Sequence, residues 1–356
     1  MILPASFENA WIQQISKTIG KRGDPKLIEK IIYAFALLEQ LKLCGLDLIF
    51  KGGTSIFLMS DSPSRFSIDV DIIVSLSPEN MSAYFDKVVN SGSFLNWQED
   101  NERKIVAEAP VGHYKFYYKS IIDSHFGFEP ILLDVLFSPK SGYKKTIKIP
   151  IRHKWLICGD PYELVTVPSI ESVLGDKLTA FAPNTTGILY SKNRPVEIIK
   201  QLFDIAYLFD KANDFQEVRE SFLDIAAAEI LYRNLSIKPD DVLRDAINTA
   251  LLLARRDHTS DNFNFLQKGI GNIVNFIITP FRMEEAIICA SKVAYLTQLL
   301  IQDVIPTVVH FSSPAEIAGL SISYPDYTKF NRYKITSPEA FYYWYQSLIL
   351  LKPKNS

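Results

Sequence analysis

Two hydrophobic rhythms divide the chain. Residues 25–43, PKLIEKIIYAFALLEQLKL, set apolar side chains at helical spacing behind Pro25, a residue suited to a first helical turn, and Gly45 follows as a stop. LDLIF (46–50) then reads as a short buried strand running into Lys51-Gly52-Gly53-Thr54. SIFLM after the glycines suits a short helix, SIDVDIIV (67–74) a second strand, and Pro78 opens a polar helix to about Gly92. From 103 to 157 the pattern turns to strands, in KIVAEA, HYKFYYKSI, PILLDVLF and KTIKIPI, all rich in β-branched and aromatic residues. Pro168 and Ser169 start the helix SIESVLGDKLTAF, and APNTTGILYSKNRP reads as an exposed loop. Beyond Pro195 helical spacing prevails to about residue 302, and a Pro- and aromatic-rich tail ends in a helix, SPEAFYYWYQSLILL. The chain has 356 residues, more than one core usually organises. The pattern therefore predicts an α+β protein: a mixed-sheet α/β domain over 1–165 and a mainly helical domain over 166–356.

Composition narrows the function classes. Hydrophobic residues make up 47% and charged residues 22%, enough apolar material for real cores. A net charge of −2 excludes a uniformly basic nucleic-acid binder but permits a local basic patch. Three separated cysteines with no C-x-x-C pair speak against a disulfide framework or a zinc site. The first residues do not read as a secretory signal, and no apolar run approaches the ~18 residues that span a bilayer, so a cytoplasmic protein with no membrane partner is expected.

One constellation carries chemistry: a strand, Gly-Gly-Thr, a short helix, then a strand bearing Asp69 and Asp71. Phosphate oxygens need closely approaching backbone N–H donors, and two glycines at a helix start supply them. Side chains two apart in a strand project to one face, so Asp69 and Asp71 can jointly hold a divalent cation, Mg²⁺ or Mn²⁺, on the triphosphate of an NTP. Asp134 in ILLDVLF is a third acid inside an apolar strand, suited to complete the metal-binding set or to act as general base for the acceptor. Arg65 can clamp phosphate bidentately. The Asp69–Asp71 pair could be a solvated strand face, but unpaired charge inside strongly apolar strands is costly, which favours a site. The five histidines form no ligand-spaced cluster and receive no role at this stage.

Lys51-Gly52-Gly53-Thr54 followed by Arg65-Phe66-Ser67-Ile68-Asp69-Val70-Asp71 resembles the GGT…R-x-S-x-D-x-D signature of the AbiEii/AbiGii toxin family, whose relatives include the MenT toxins. Ser172-Val173-Leu174-Gly175-Asp176-Lys177-Leu178-Thr179-Ala180 is similar to the family's E/D-K-h-x-A-L helix, and Lys200-Gln201-Leu202-Phe203-Asp204-Ile205 to its K-D-x-x-D-L segment. The four motifs span residues 45–210 in order. The resemblance implies a DNA-polymerase-β-like nucleotidyltransferase, the toxin of a type IV toxin–antitoxin or phage-abortive-infection system. It implies metal binding by Asp69 and Asp71, a nucleotide site from Lys51, Gly52, Gly53, Thr54, Arg65 and Ser67, a phosphate contact by Lys177, and a further catalytic carboxylate at Asp204. The helical domain would thus contribute Lys177 and Asp204 to the cleft. Two positions depart from the pattern: Gln201 stands where the family usually has Asp, and Ile198 where it commonly has Arg.

An acceptor is suggested by Lys140, Lys144, Lys145, Lys148, Arg152, His153 and Lys154 beside Tyr143 and Trp155. Basic residues interleaved with aromatics can track an RNA backbone, and the resemblance implies a tRNA 3′ end. The alternative for this stretch is a strand edge guarded by lysines. The resemblance further implies an antitoxin partner. Two other functions are compatible with the same motifs: a kinase-like phosphotransferase acting on a protein hydroxyl, and a nucleotide-binding regulator without catalysis.

Overall fold

The computed structural model describes residues 1–100, 110–122 and 127–351. Its contacts divide into two units: Met1–Ser141 with Lys145–Ser169 and Asn275–Thr279, and Gly142–Lys144 with Ile170–Val274 and Pro280–Ser356. The boundary expected at 165 falls inside a strand, and the first unit also takes back a short segment from far along the chain. The strand expected at KIVAEA lies outside the described residues.

In the first unit the order is α1 (Asn9–Ile19), α2 (Pro25–Leu43), β1 (Ile49–Lys51), α3 (Gly52–Leu58), β2 (Val70–Val74), α4 (Met81–Asn90), β3 (Asn96–Glu99), β4 (Val111–Lys119), β5 (Phe128–Phe137), β6 (Thr146–Pro150) and β7 (Leu164–Pro168). Among the described residues the strands form one mixed sheet in the order β3-β4-β5-β2-β1-β7-β6. β2 runs antiparallel to β1 and parallel to β5. α2 occupies the predicted residues, capped by the Asp24 carboxylate on the Lys26 N–H at 2.8 Å. β3 and β7 were not legible from the pattern: β3 is an exposed polar edge strand, and β7 is brief and runs almost directly into the next helix.

The core lies on one face of this sheet. Ile131, Leu133 and Val135 of β5, Tyr114, Phe116 and Tyr118 of β4, and Val70 and Ile72 of β2 join Ile31, Phe35 and Leu38 of α2 and Phe85 of α4 in one buried cluster. Each fully buried aliphatic side chain contributes about 1.5–3 kcal/mol. A one-residue slip of β2 would forfeit that burial for Val70 and Ile72 and drive Asp71 into the core, so the register is pinned. The alternate positions, Asp71 on β2 and Asp134 on β5, are thereby fixed on the opposite, polar face.

The second unit contains α5 (Ile170–Ala180), α6 (Pro195–Phe209), α7 (Phe215–Tyr232), α8 (Pro239–Arg255), α9 (Asp261–Asn272), α10 (Met283–Ile301), α11 (Tyr333–Thr336) and α12 (Pro338–Leu350). α10 is apolar around most of its circumference and is the buried centre, with Ala290, Val293, Ala294, Leu296 and Leu299 enclosed. Gly175 lets α5 press against the α7 backbone at Val218 and Phe222, where a methyl group would collide. The segment from Pro183, expected as an exposed loop, is tucked in over most of its first half, while residues 191–194 are exposed as expected. Asp245 accepts bonds from the Asn184 N–H, the Asn184 side-chain amide and the Thr185 hydroxyl at 2.6–2.9 Å, and that buried acceptor is what orders it. Among the described residues no helix is long and apolar enough to cross a membrane.

Candidate functional site

Four side chains form one row across the polar face of the sheet. Lys51 of β1 pairs in register with Asp71 of β2, Asp71 with Asp134 of β5, and Asp134 with His113 of β4. Residues directly opposite on neighbouring strands share a face, so two acids stand side by side with a basic residue at each end. The His113 Nδ1 lies 2.8 Å from Asp134 Oδ1, and the residue is only 8% exposed. Asp69, Asp71 and Asp134 are each partly exposed.

The glycine turn sits against this row. Gly52 has φ +77°, a left-handed conformation natural to glycine, and a Cβ there would collide with the Asp71 carboxylate. A Cβ on Gly53 would meet the Arg65 guanidinium and the Ser67 hydroxyl. The Thr54 hydroxyl, at 3.0 Å from Ser67 Oγ, donates at 2.5 Å to the Asp69 carbonyl, which ties the strand entry to the turn. The glycines therefore do more than bare their backbone, because they make room for Asp71, Arg65 and Ser67. Arg65 is buried and donates at 2.9 Å to the Phe66 carbonyl. Its backbone is held by the returning segment, through Phe66 N–H to Phe276 O at 2.7 Å and Ile278 N–H to Ser64 O at 2.9 Å. Arg65 is thus packed into the turn, with its guanidinium beside Gly53.

Asp69, Asp71 and Asp134 are hard oxygen donors of the kind Mg²⁺ takes, and two of them are cross-strand neighbours, so the donor chemistry suits that ion. Among the described residues, however, no three His, Cys, Asp or Glu side chains are already drawn together to hold a metal ion. Of the three carboxylates expected to form a cage, Asp71 and Asp134 are cross-strand neighbours, with Asp134 turned to His113 and Asp71 set against Gly52.

The residues matched in the helical unit form their own cluster. Lys177 of α5 and Asp204 of α6, 7% and 3% exposed, are paired at 3.0 Å. Lys177 also donates to Gln201 Oε1 at 2.9 Å, so the departure from the family's Asp leaves an acceptor in place. Tyr143 donates to Asp176 at 2.7 Å in the same unit, where Lys144 pairs with Glu220.

The basic stretch divides differently from expectation. Lys145, Lys148, Arg152 and Lys154 are exposed along and beyond β6, an edge strand, with Arg152 lying over the Tyr162 ring. His153 and Trp155 are buried among Phe35, Phe57 and Phe66, so they serve packing and offer no stacking surface. Burial pushes His153 down to about 4. Sequence reasoning missed His113. Its only signal was alternation within HYKFYYK, which puts His113 on the face away from Tyr114, Phe116 and Tyr118.

A model of the AbiEii nucleotidyltransferase toxins of type IV toxin–antitoxin systems matches residues 36–270. No curated protein matches. Among solved structures the chain is similar to MenT4, a nucleotidyltransferase toxin of Mycobacterium tuberculosis H37Rv, with a TM-score of 0.52 at 14% identity over 82% of this chain and 89% of that one. It is more distantly similar to JHP933 of Helicobacter pylori, with a TM-score of 0.41 at 14% identity over 76% and 89% of the two chains. The MenT4 likeness fits a DNA-polymerase-β-like nucleotidyltransferase fold, and the family match covers well over half the chain. The chain belongs to the AbiEii nucleotidyltransferase toxin family of type IV toxin–antitoxin systems.

Proposed function

We propose that this toxin transfers a nucleoside monophosphate from an NTP to the 3′ hydroxyl of an RNA, with tRNA as the acceptor, and that Asp69, Asp71 and Asp134 hold Mg²⁺ or Mn²⁺ while they do so. The observation that carries the reading is the Asp71 carboxylate set against Gly52 and in register with Asp134. A bound cation would neutralise triphosphate charge and sharpen the acceptor oxygen as a nucleophile. The chain's own residues do the rest. Gly52, Gly53 and Thr54, with Lys51, Arg65 and Ser67, orient the triphosphate. The acceptor oxygen bonds to the α-phosphorus, the bond to the β-phosphate oxygen breaks, and pyrophosphate leaves. Asp134 is placed in this scheme to accept the hydroxyl proton. Lys177 as a phosphate contact and Asp204 as a further catalytic carboxylate rest on the motif match.

An RNA acceptor is supported by the exposed cations of the β6 edge. Lys148 pairs with Thr166, which pairs with Ile49, two residues from Lys51, so Lys148 shares the carboxylate face. The family implies an antitoxin that restrains the activity. The test is incubation with Mg²⁺, total RNA and NTP labelled at either the α or the γ phosphate. Label from the α position in RNA is expected, falling by about a thousandfold in Asp71→Ala as transition-state charge stabilisation is lost. Label from the γ position on protein would establish a phosphotransferase. Growth inhibition that persists in Asp71→Ala would establish a regulator without catalysis.

A further inference from the structure

We infer that His113 is a positioning residue that holds Asp134 in the geometry the transfer needs; the inference rests on the nucleotidyltransferase reading above. Side-by-side acids on neighbouring strands repel, and each can swing away from the other about its own side-chain torsions. Asp134 is denied that freedom, because His113 Nδ1 engages its Oδ1 at 2.8 Å from the opposite side. His113 is itself fixed. Its strand lies between β3 and β5, its carbonyl accepts from the Asp100 N–H at 2.7 Å, and two residues on Lys115 pairs with the Asp100 carboxylate at 2.9 Å. Its ring is nearly enclosed although it sits on the polar face.

The order Lys51, Asp71, Asp134, His113 gives each acid one basic neighbour in register. Carboxylates that hold a cation depend on such hydrogen bonds behind them for their orientation. A histidine serving only to fill space would need no particular nitrogen at Asp134. A positioning residue needs its donor at the reach of Nδ1, and that difference can be tested.

Asn carries its amide nitrogen at about the reach of Nδ1, while Gln carries it further out, near the reach of Nε2, at similar bulk. The full-length chain is compared as wild type, His113→Asn, His113→Gln, His113→Ala, Asp134→Ala and the His113→Ala/Asp134→Ala double variant, with circular dichroism confirming the fold. Two quantities are read: Mn²⁺ affinity of the resting protein by electron paramagnetic resonance, and kcat and KM for NTP incorporation. His113→Gln and His113→Ala are expected to lose about 10–100-fold in Mn²⁺ affinity and kcat, with nucleotide KM little changed. His113→Asn should recover most of both, and His113→Ala should add nothing once Asp134 is gone. Equal performance of Gln and Asn overturns the inference, as do losses that multiply in the double variant. If His113→Ala does not fold, the Asn and Gln pair still decides. A wild-type chain that neither binds Mn²⁺ nor transfers label removes the underlying reading instead.

Discussion

Asp71 and Asp134 lie partly exposed on the polar face of strands whose other face is core, whereas Asp204 of the helical unit is 3% exposed and closed onto Lys177 at 3.0 Å. The sheet keeps its acids accessible because strand alternation alone puts them outside the core. The helical unit keeps its acid by enclosing it with a cation, since a buried charge is tolerated only when paired and hydrogen-bonded. The same unit inverts the device at Lys292, a buried cation paired with the more exposed Asp210 and Glu339 at 2.6 and 2.9 Å. A carboxylate of the first kind can take a ligand without disturbing the fold. One of the second kind is first of all part of the fold.

The largest expected effect separates the two kinds directly. Asp204→Ala strands a buried ammonium on α5 and should destabilise the protein by about 3–5 kcal/mol in urea unfolding. Asp204→Asn, which keeps an oxygen for Lys177, should cost less. Asp71→Ala, by contrast, should leave stability within about 1 kcal/mol of wild type while removing transfer. An Asp204→Ala protein as stable as wild type would break the comparison, and would make the pair a site residue set that the fold does not need.

Two glycines sharpen the contrast at smaller scale. Gly52→Ala puts a methyl group against the Asp71 carboxylate at φ +77°. Displacing a reacting group by about 1 Å can reduce turnover roughly a hundredfold, and that loss is expected with only about 1–2 kcal/mol of backbone strain. Gly175→Ala drives α5 away from α7 and should cost about 1–3 kcal/mol of stability, with activity per folded molecule retained. Steady-state rates normalised to the folded fraction distinguish the two. Equal loss of rate in both variants would show that helix packing, and not the turn alone, sets the geometry of transfer.

These differences mark what the sequence could disclose. Asp71 and Asp134 were legible because a charge inside an apolar strand is costly unless it serves something, and the two-residue period places it on a face. Their adjacency was not legible, because it depends on β2 lying beside β5, a pairing across more than sixty intervening residues that no local pattern encodes. His113 was passed over for the same reason: its partner is fixed by β4–β5 register, not by spacing among histidines. How the Arg65 backbone is held was not legible either, because it bridges to Ile277 in a segment returning from the far part of the chain. The Lys177–Asp204 motif was recognised by resemblance, but enclosure belongs to helix packing and could not be read from either helix alone.

The smallest expected effect is a difference in how the two units meet acid. His153 of the sheet unit accepts from the Trp155 N–H at Nδ1 and faces the Ser60 carbonyl through Nε2, both at 3.2 Å, which suits a neutral ring with its hydrogen on Nε2. Burial lowers it from 6.5 to about 4. Between those values the unfolded chain binds a proton that the folded chain refuses, so stability falls as pH drops from 6.5 and levels off below about 4. The contribution is at most about 3 kcal/mol over that window. Lys292 of the helical unit titrates at the other end: burial alone would lower it, but Asp210 and Glu339 more than offset that and raise it. Its own titration weakens the fold only at strongly alkaline pH. Hydrogen exchange at pH 7 and 4.5 should therefore show protection falling in α3 and β1 before α10, and His153→Gln should flatten that fall. An unchanged pH slope in His153→Gln would assign the acid sensitivity of the sheet unit to its carboxylates instead.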